Sequence, residues 1–245
     1  MKSLKAISNI GLAALLVCGS SLASPAFAQS VSQTASKEDS AREGLPGRRV
    51  GGGVRRPSPE ACLTDQQAQI ALSPESNLLL TAKADPTFLF YLPSASTERT
   101  VEFVLANEKN EEIYVATTQT KEASGIVRLD LSKSVTPVTL EAGQNYRWYL
   151  SVVCDASDRA NDLVAEGWIK RADAETSPMA ASNPDKTSLL ADSLANLDML
   201  RRSQPEDAAV SASWNAALAS LGLESLTDAA PVEHTFDDTV LATGF

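Results

Sequence analysis

"LEAGQNYRWYLSVVC", residues 140–154, is the stretch whose reading decides the fold. From Tyr146 onward the residues alternate in character. Tyr146, Trp148, Leu150, Val152 and Cys154 make one continuous apolar face, while Arg147, Tyr149, Ser151 and Val153 make a half-polar one. A period of two with a single fully apolar side is the pattern of a strand with one buried face. Cys154 then points inward at the end of a core strand.

The residues leading into this strand carry a second signal. Leu140, Gly143 and Tyr146, with Trp148 two residues later, follow the L-x-P/A-G-x-x-Y spacing that opens the sixth strand of many immunoglobulin-like and fibronectin-type domains. There the tyrosine hydroxyl bonds back to the upstream backbone. Antibody domains place a cysteine two residues after the tyrosine, whereas Cys154 lies eight after Tyr146, so an antibody-type disulfide is not expected. A generic turn before a strand is the plainer reading.

Working outward, "QAQIALSP", "TFLFYLP", "TVEFVLAN", "IYVATTQ", "GIVRLDL" and "LVAEGWIKR" read as further short strands separated by turn residues. The expected fold is mainly β: an immunoglobulin/fibronectin-like antiparallel sandwich over residues 60–172, followed by a C-terminal two-helix hairpin. A polar connection over 173–186 leads to that hairpin at 187–223. Leu190, Leu194, Leu197 and Leu200, with Ala191 and Met199, form the first helical stripe. Pro205 suits the first turn of the second helix, where Val210, Trp214, Leu218 and Leu221 recur at helical spacing before the stop at Gly222. The tail, 224–245, holds five acids and no lysine or arginine.

The N-terminus reads as targeting. Lys2 and Lys5 precede an apolar run, and Ala26-Phe27-Ala28 offers a cleavage site, so 1–28 is an expected signal peptide. Cys18 raises a lipoprotein alternative, which Val17 before it disfavours. Residues 29–59 lack bulky apolar groups and read as a disordered arm with a basic Gly/Arg segment. The formal charge of -10 argues against general nucleic-acid binding, and no other apolar run is long enough for a transmembrane helix. In an exported chain the two remaining cysteines, Cys62 and Cys154, most simply form one disulfide; two free thiols are the alternative.

Chemistry is sparse. The sole histidine, His234, lies in the acidic tail, and the usual zinc, hydrolase and redox motifs are absent, so neither cofactor nor catalytic residue is expected. Asp155, Asp158 and Asp162, with Asn161 and Glu166, form a calcium candidate whose spacing departs from the EF-hand pattern and encloses Arg159. The alternative is a polar turn closed by side chains on their own backbone. Arg48, Arg49, Arg55 and Arg56 are candidate binding residues for a polyanion or for the acidic tail, or else plain solubilising charge. A Walker loop is excluded, because the segment has no lysine and no strand before it. Tyr91, Tyr149 and Trp168 are candidates for a ligand-stacking sheet face, with burial in the core as the competing reading.

The stretches "GLPGRRVGGGVRR", "CLTDQQAQIALSPE", "PTFLFYLP", "VEFVLANEKNEEIY", "GIVRLDL", "LEAGQNYRWYLSVVCDASDR", "EGWIKR" and "WNAALASLGLE" together resemble the domain-of-unknown-function family numbered 928, found mainly in cyanobacteria. The resemblance implies a periplasmic or extracellular protein and carries no activity with it. The expected function is a non-catalytic interaction module for an envelope protein or glycan. A carboxylate-dependent glycan hydrolase and a structural factor of the envelope are the alternatives.

Overall fold

The computed structural model describes residues 47–52, 62, 69–95, 97–135, 137–173 and 189–239, all within one compact unit. The expected signal peptide, Arg55, Arg56 and nearly all of the 173–186 connection lie outside the described residues.

The strands are β1 (Arg48–Gly52), β2 (Ile70–Ala71), β3 (Leu78–Thr81), β4 (Thr87–Leu92), β5 (Thr100–Ala106), β6 (Glu112–Gln119) and β7 (Gly125–Asp130). β8 (Asn145–Val152) and β9 (Leu163–Arg171) follow, then helices α1 (Leu190–Ser203) and α2 (Ala208–Ser220), then β10 (Pro231–Val232) and β11 (Asp237–Thr239). Hydrogen bonding runs without a break in the order β10-β7-β4-β2-β1-β9-β8-β5-β6-β11, with β3 added parallel to β9. The chain is therefore mainly β with two C-terminal helices. Its strands form one sheet curled into a half-barrel, in place of the two separate sheets of an immunoglobulin-like sandwich.

The reason is β1. Residues 48–52 fall in the arm as read from sequence, yet they form a strand that bonds β2 on one side and β9 on the other. Gly51 permits this. A Cβ there would lie 2.4 Å from Gln69 Oε1, so a side chain at this position would have to push the buried Gln69 carboxamide out of its place. Gln69 in turn donates its Nε2 to the carbonyls of Leu150, at 3.3 Å, and Leu163.

Curling brings β4 face to face with β5 and β8. Phe88 lies 4.9 Å from Phe103 between ring centres, and Phe90 lies 5.8 Å from both Phe103 and Trp148. Trp148 is fully buried and sits in register with Gly167 of β9. A Cβ on Gly167 would come within 2.5 Å of Trp148 Cζ2, so the indole occupies the space a side chain would need. β4 is buried on both faces. Phe88, Phe90 and Leu92 point into the half-barrel, while Leu89 and Tyr91 pack outward with Ile126 against Leu194, Trp214 and Leu218 of the helices.

The helical hairpin thus covers the outside of β4 and β7. Its inward stripe differs in part from the one read in the sequence. Ala191, Leu194, Ala195 and Asp198 are buried on α1, whereas Met199 is 52% exposed. Asp198 is tolerated because two arginines meet it: Arg202 Nε at 2.9 Å and Arg128 Nη1 at 3.4 Å. This network links α1 to β7, so removing either partner would strand a buried charge. Pro205 lies in the turn before α2, and Asp207 caps that helix by accepting from the N–H groups of Ala209 and Val210. At its C-terminus the N–H of Leu223 bonds Leu218 O at 2.9 Å and that of Gly222 bonds Ala219 O at 3.0 Å, a Schellman stop.

Residues 224–239 of the acidic tail are part of the fold. β10 runs parallel to β7 at one end of the sheet and β11 runs antiparallel to β6 at the other. The four residues between them, Glu233 to Phe236, span the gap between the two ends of the half-barrel. Cys62 and Cys154 form a disulfide, with 5.3 Å between their Cα atoms.

Two stability changes are expected. Gly167→Ala should destabilise the fold by about 1–3 kcal/mol through overpacking against Trp148, read as a lower urea midpoint with an unchanged m-value. Replacing Cys62 and Cys154 together by Ser should cost about 4 kcal/mol, as the crosslink closes a loop of 92 residues. A loss below about 1 kcal/mol would show that the loop-closure account fails here.

Candidate functional site

The face of β8 turned away from the core carries Asn145, Arg147, Tyr149 and Ser151. Register places Glu166 beside Tyr149, Trp168 beside Arg147 and Lys170 beside Asn145. The Arg147 guanidinium carbon lies 4.9 Å from the centre of the Tyr149 ring and 5.7 Å from that of Trp168. Its Nη2 donates to Glu166 Oε2 at 2.6 Å, which fixes the plane of the guanidinium between the rings. Burial pushes the Tyr149 hydroxyl pKa up; the nearby Arg147 charge opposes this and Glu166 adds to it. Val104 of β5 adjoins Tyr149 in register, and Arg48 of β1 faces Glu166. The result is a row of flat π surfaces with one guanidinium and one carboxylate.

At the Asn145 end this row meets a cavity of about 510 Å³ between the β5–β6 turn and the segment entering β8. Asn107, Glu108, Lys109, Glu141, Gln144 and Asn145 supply its polar lining. Asn145 Nδ2 donates to Glu108 Oε1 at 3.0 Å, and Asn107 Nδ2 donates to Glu111 Oε2 at 2.6 Å. The wall is held by the tyrosine turn. The Tyr146 hydroxyl accepts the N–H of Glu141 at 2.9 Å, Gly143 turns the chain with φ +79°, and Leu140 is buried beneath.

Other residues singled out from sequence have different placements. Tyr91 is buried under the helices. Arg49 is half-buried and donates to the carbonyls of Ser73, at 3.0 Å, and Leu221, at 2.5 Å, so it ties β1 to the end of α2. Arg48 is exposed on the same strand. Asp155 accepts from Ser157, Asp158 caps the short turn at Arg159–Asn161, and the buried Asp162 accepts from the N–H of Cys154 and pairs with Arg159. Glu166 is held by Arg147 on the sheet. The calcium candidate is accordingly spent on turn and ion-pair contacts, and among the described residues no group of three His, Cys, Asp or Glu is placed to hold a metal.

His234 lies in the link between β10 and β11, its Nδ1 3.4 Å from Thr118 Oγ1. Neither Arg147 nor the cavity acids stand out in sequence as site residues. Arg147 has the look of one polar position in an alternating strand, and only strand register puts it between two rings.

The sequence pattern of the family Domain of Unknown Function (DUF928) matches residues 50–231, and the chain belongs to that family. No curated protein matches the chain closely enough to count as a relative. Among the described residues, no helix is long and apolar enough to cross a membrane.

His234 gives the β10–β11 link a pH dependence with a definite sign. Burial, then the Lys121 charge, lowers its pKa below the ordinary 6.5, against the smaller opposing pull of a hydrogen bond to the Gln119 backbone and then of the Glu233 charge. Once the link is released, its imidazole takes a proton at a higher pH than in place. The link is therefore held fully above about pH 6.5 and loosens as the pH falls through that value. Amide exchange at residues 237–239, corrected for intrinsic rates, should speed up between about pH 7.5 and about pH 5.5. His234→Gln should flatten that change.

Proposed function

We propose that the protein is an exported, non-catalytic interaction module that binds a cell-envelope glycan on the outer face of β8 and β9. The observation that carries this reading is the Tyr149–Arg147–Trp168 row running into a cavity lined by carboxamide and carboxylate groups. Saccharide rings stack their C–H faces on aromatic side chains, and their hydroxyls pair with Asn, Gln and Glu at the edges. Export is supported by the Cys62–Cys154 disulfide, which persists in oxidising compartments, and by the signal-like pattern of residues 1–28. The family resemblance supports a cyanobacterial envelope as the setting. The tyrosine turn at 140–146 supports kinship between this half-barrel and immunoglobulin-like sandwiches.

One observation favours a second reading. Glu108 and Glu141 line the same cavity, and a pair of carboxylates is the minimal equipment of a glycan hydrolase.

Binding of envelope polysaccharide, measured by calorimetry, separates the two. Wild type should bind without releasing reducing ends. Trp168→Ala and Arg147→Ala should each weaken binding by about tenfold or more while the circular dichroism spectrum is unchanged. Turnover that disappears in Glu108→Gln would establish the hydrolase instead. Binding that is indifferent to both platform variants would sink the platform.

A further inference from the structure

The sheet face that carries Arg147 runs against the charge of the whole chain. The formal charge is -10, yet the outward positions of β1, β8 and β9 hold three cations, Arg48, Arg147 and Lys170, and one carboxylate, Glu166. Register puts Arg48 beside Glu166, Arg147 beside Trp168, and Asn145 beside Lys170. On their other side Trp168 and Lys170 adjoin Leu78 and Leu80 of β3. Beyond β8, strand β5 turns Glu102 outward, and Arg159 meets that carboxylate at 2.8 Å.

One of the three cations is spent within the face. Arg147 Nη2 donates to Glu166 at 2.6 Å, whereas among the described residues Arg48 and Lys170 have no ion-pair partner. Arg48 is exposed, and Glu166, its neighbour in register, is held by Arg147 instead. Two uncompensated positive charges therefore stand on a face of stacked rings. The three cations follow β9 at steps of two residues, about 7 Å per step. Charges at a regular step suit a ligand that repeats better than a single small anion. At the cavity end the balance reverses, since Glu108 and Glu141 stand against Lys109. An acidic group is thus favoured over β9 and disfavoured in the cavity.

We propose that the glycan bound on this face is acidic, with a carboxylate or sulfate ester recurring along its chain, and that Arg48 and Lys170 select it. The inference rests on the glycan platform and deepens it. Tyr149 and Trp168 take the C–H faces of sugar rings, which neutral and acidic sugars share. Selection then falls to the groups that meet the ring edges, and over β9 the uncompensated ones are cations. Each such contact adds at most about fivefold in affinity, because water and salt screen it. Together they make a preference of about tenfold over the uncharged sugar.

The test uses the full chain and three oligosaccharides of one backbone and length, titrated by calorimetry: an oligogalacturonate, its carboxyl-reduced form, and a sulfated derivative of that reduced form. At least one anionic form should bind about tenfold more tightly than the reduced sugar in about 0.15 M salt, and whichever leads identifies the acidic group. In about 1 M salt the ratio should shrink towards unity. Arg48→Gln/Lys170→Gln should bring the ratio near unity with an unchanged circular dichroism spectrum, and Lys170→Glu should lower it as well. Lys133→Gln, which removes an exposed cation outside this face, should leave the ratio as it is. Equal affinity of wild type for all three sugars overturns the acidic selection and leaves the platform standing. Binding of none of them also overturns it, while the titration with envelope polysaccharide decides the platform by itself. A preference for acid that survives Arg48→Gln/Lys170→Gln overturns the assignment of the two residues.

Discussion

The structure depends on one close approach, the Trp148 indole lying over Gly167. With no side chain on Gly167, the largest ring system in the half-barrel lies close against β9 and still reaches Phe90 of β4 at 5.8 Å. That places the inner faces of β4 and β8 in direct contact. The twist of a single sheet must then bring its far strands round to meet each other. Gly51 plays the complementary part at the seam, letting β1 cross Gln69 and join what would otherwise be two sheets. Small residues thus stand at two close crossings of the sheet, and the large aromatic core fills the volume inside it.

A curled sheet that does not close leaves two edges, and this chain treats them unequally. The β7 side is secured in depth. β10 pairs with it, α1 reaches it through the Asp198–Arg128–Arg202 network, and the helices bury Tyr91, Leu89 and Ile126 behind it. Among the described residues, the β6 side has three paired residues and a carboxylate held by hydroxyls. Burial of apolar area dominates at the first edge, while at the second Phe236 and Ile113 pack on the core beside the polar contacts of Asp238.

The candidate platform follows from the same architecture. Alternation along β8 sends Trp148 inward and Arg147 and Tyr149 outward, so the core anchor and the platform are neighbours in sequence on opposite faces of one strand. The alternation and the inward Trp148 could be read directly, as could the tyrosine turn spacing. The Arg147–Trp168 stack could not, because it needs the register between β8 and β9, which the pairing of Trp148 with Gly167 sets. Tyr91 was ambiguous for a related reason. The run "TFLFYL" has no polar side, and only the docking of the helices shows that both of its faces are buried.

By itself the sequence determined the strand-rich class, the strand at 145–152 and its inward face, the helical hairpin and the family. Each of these rests on local periodicity, composition or a short motif, so neighbouring residues were enough. Tertiary structure alone decided that β1 joins the sheet, that Met199 faces out while Asp198 is buried, that Arg49 is a strut, and that the acidic tail spans the sheet edges. These depend on what lies opposite: a buried glutamine under a glycine, two arginines around one carboxylate, a pair of hydroxyls waiting for an aspartate. Such partners come from distant parts of the chain, and no local pattern encodes their meeting.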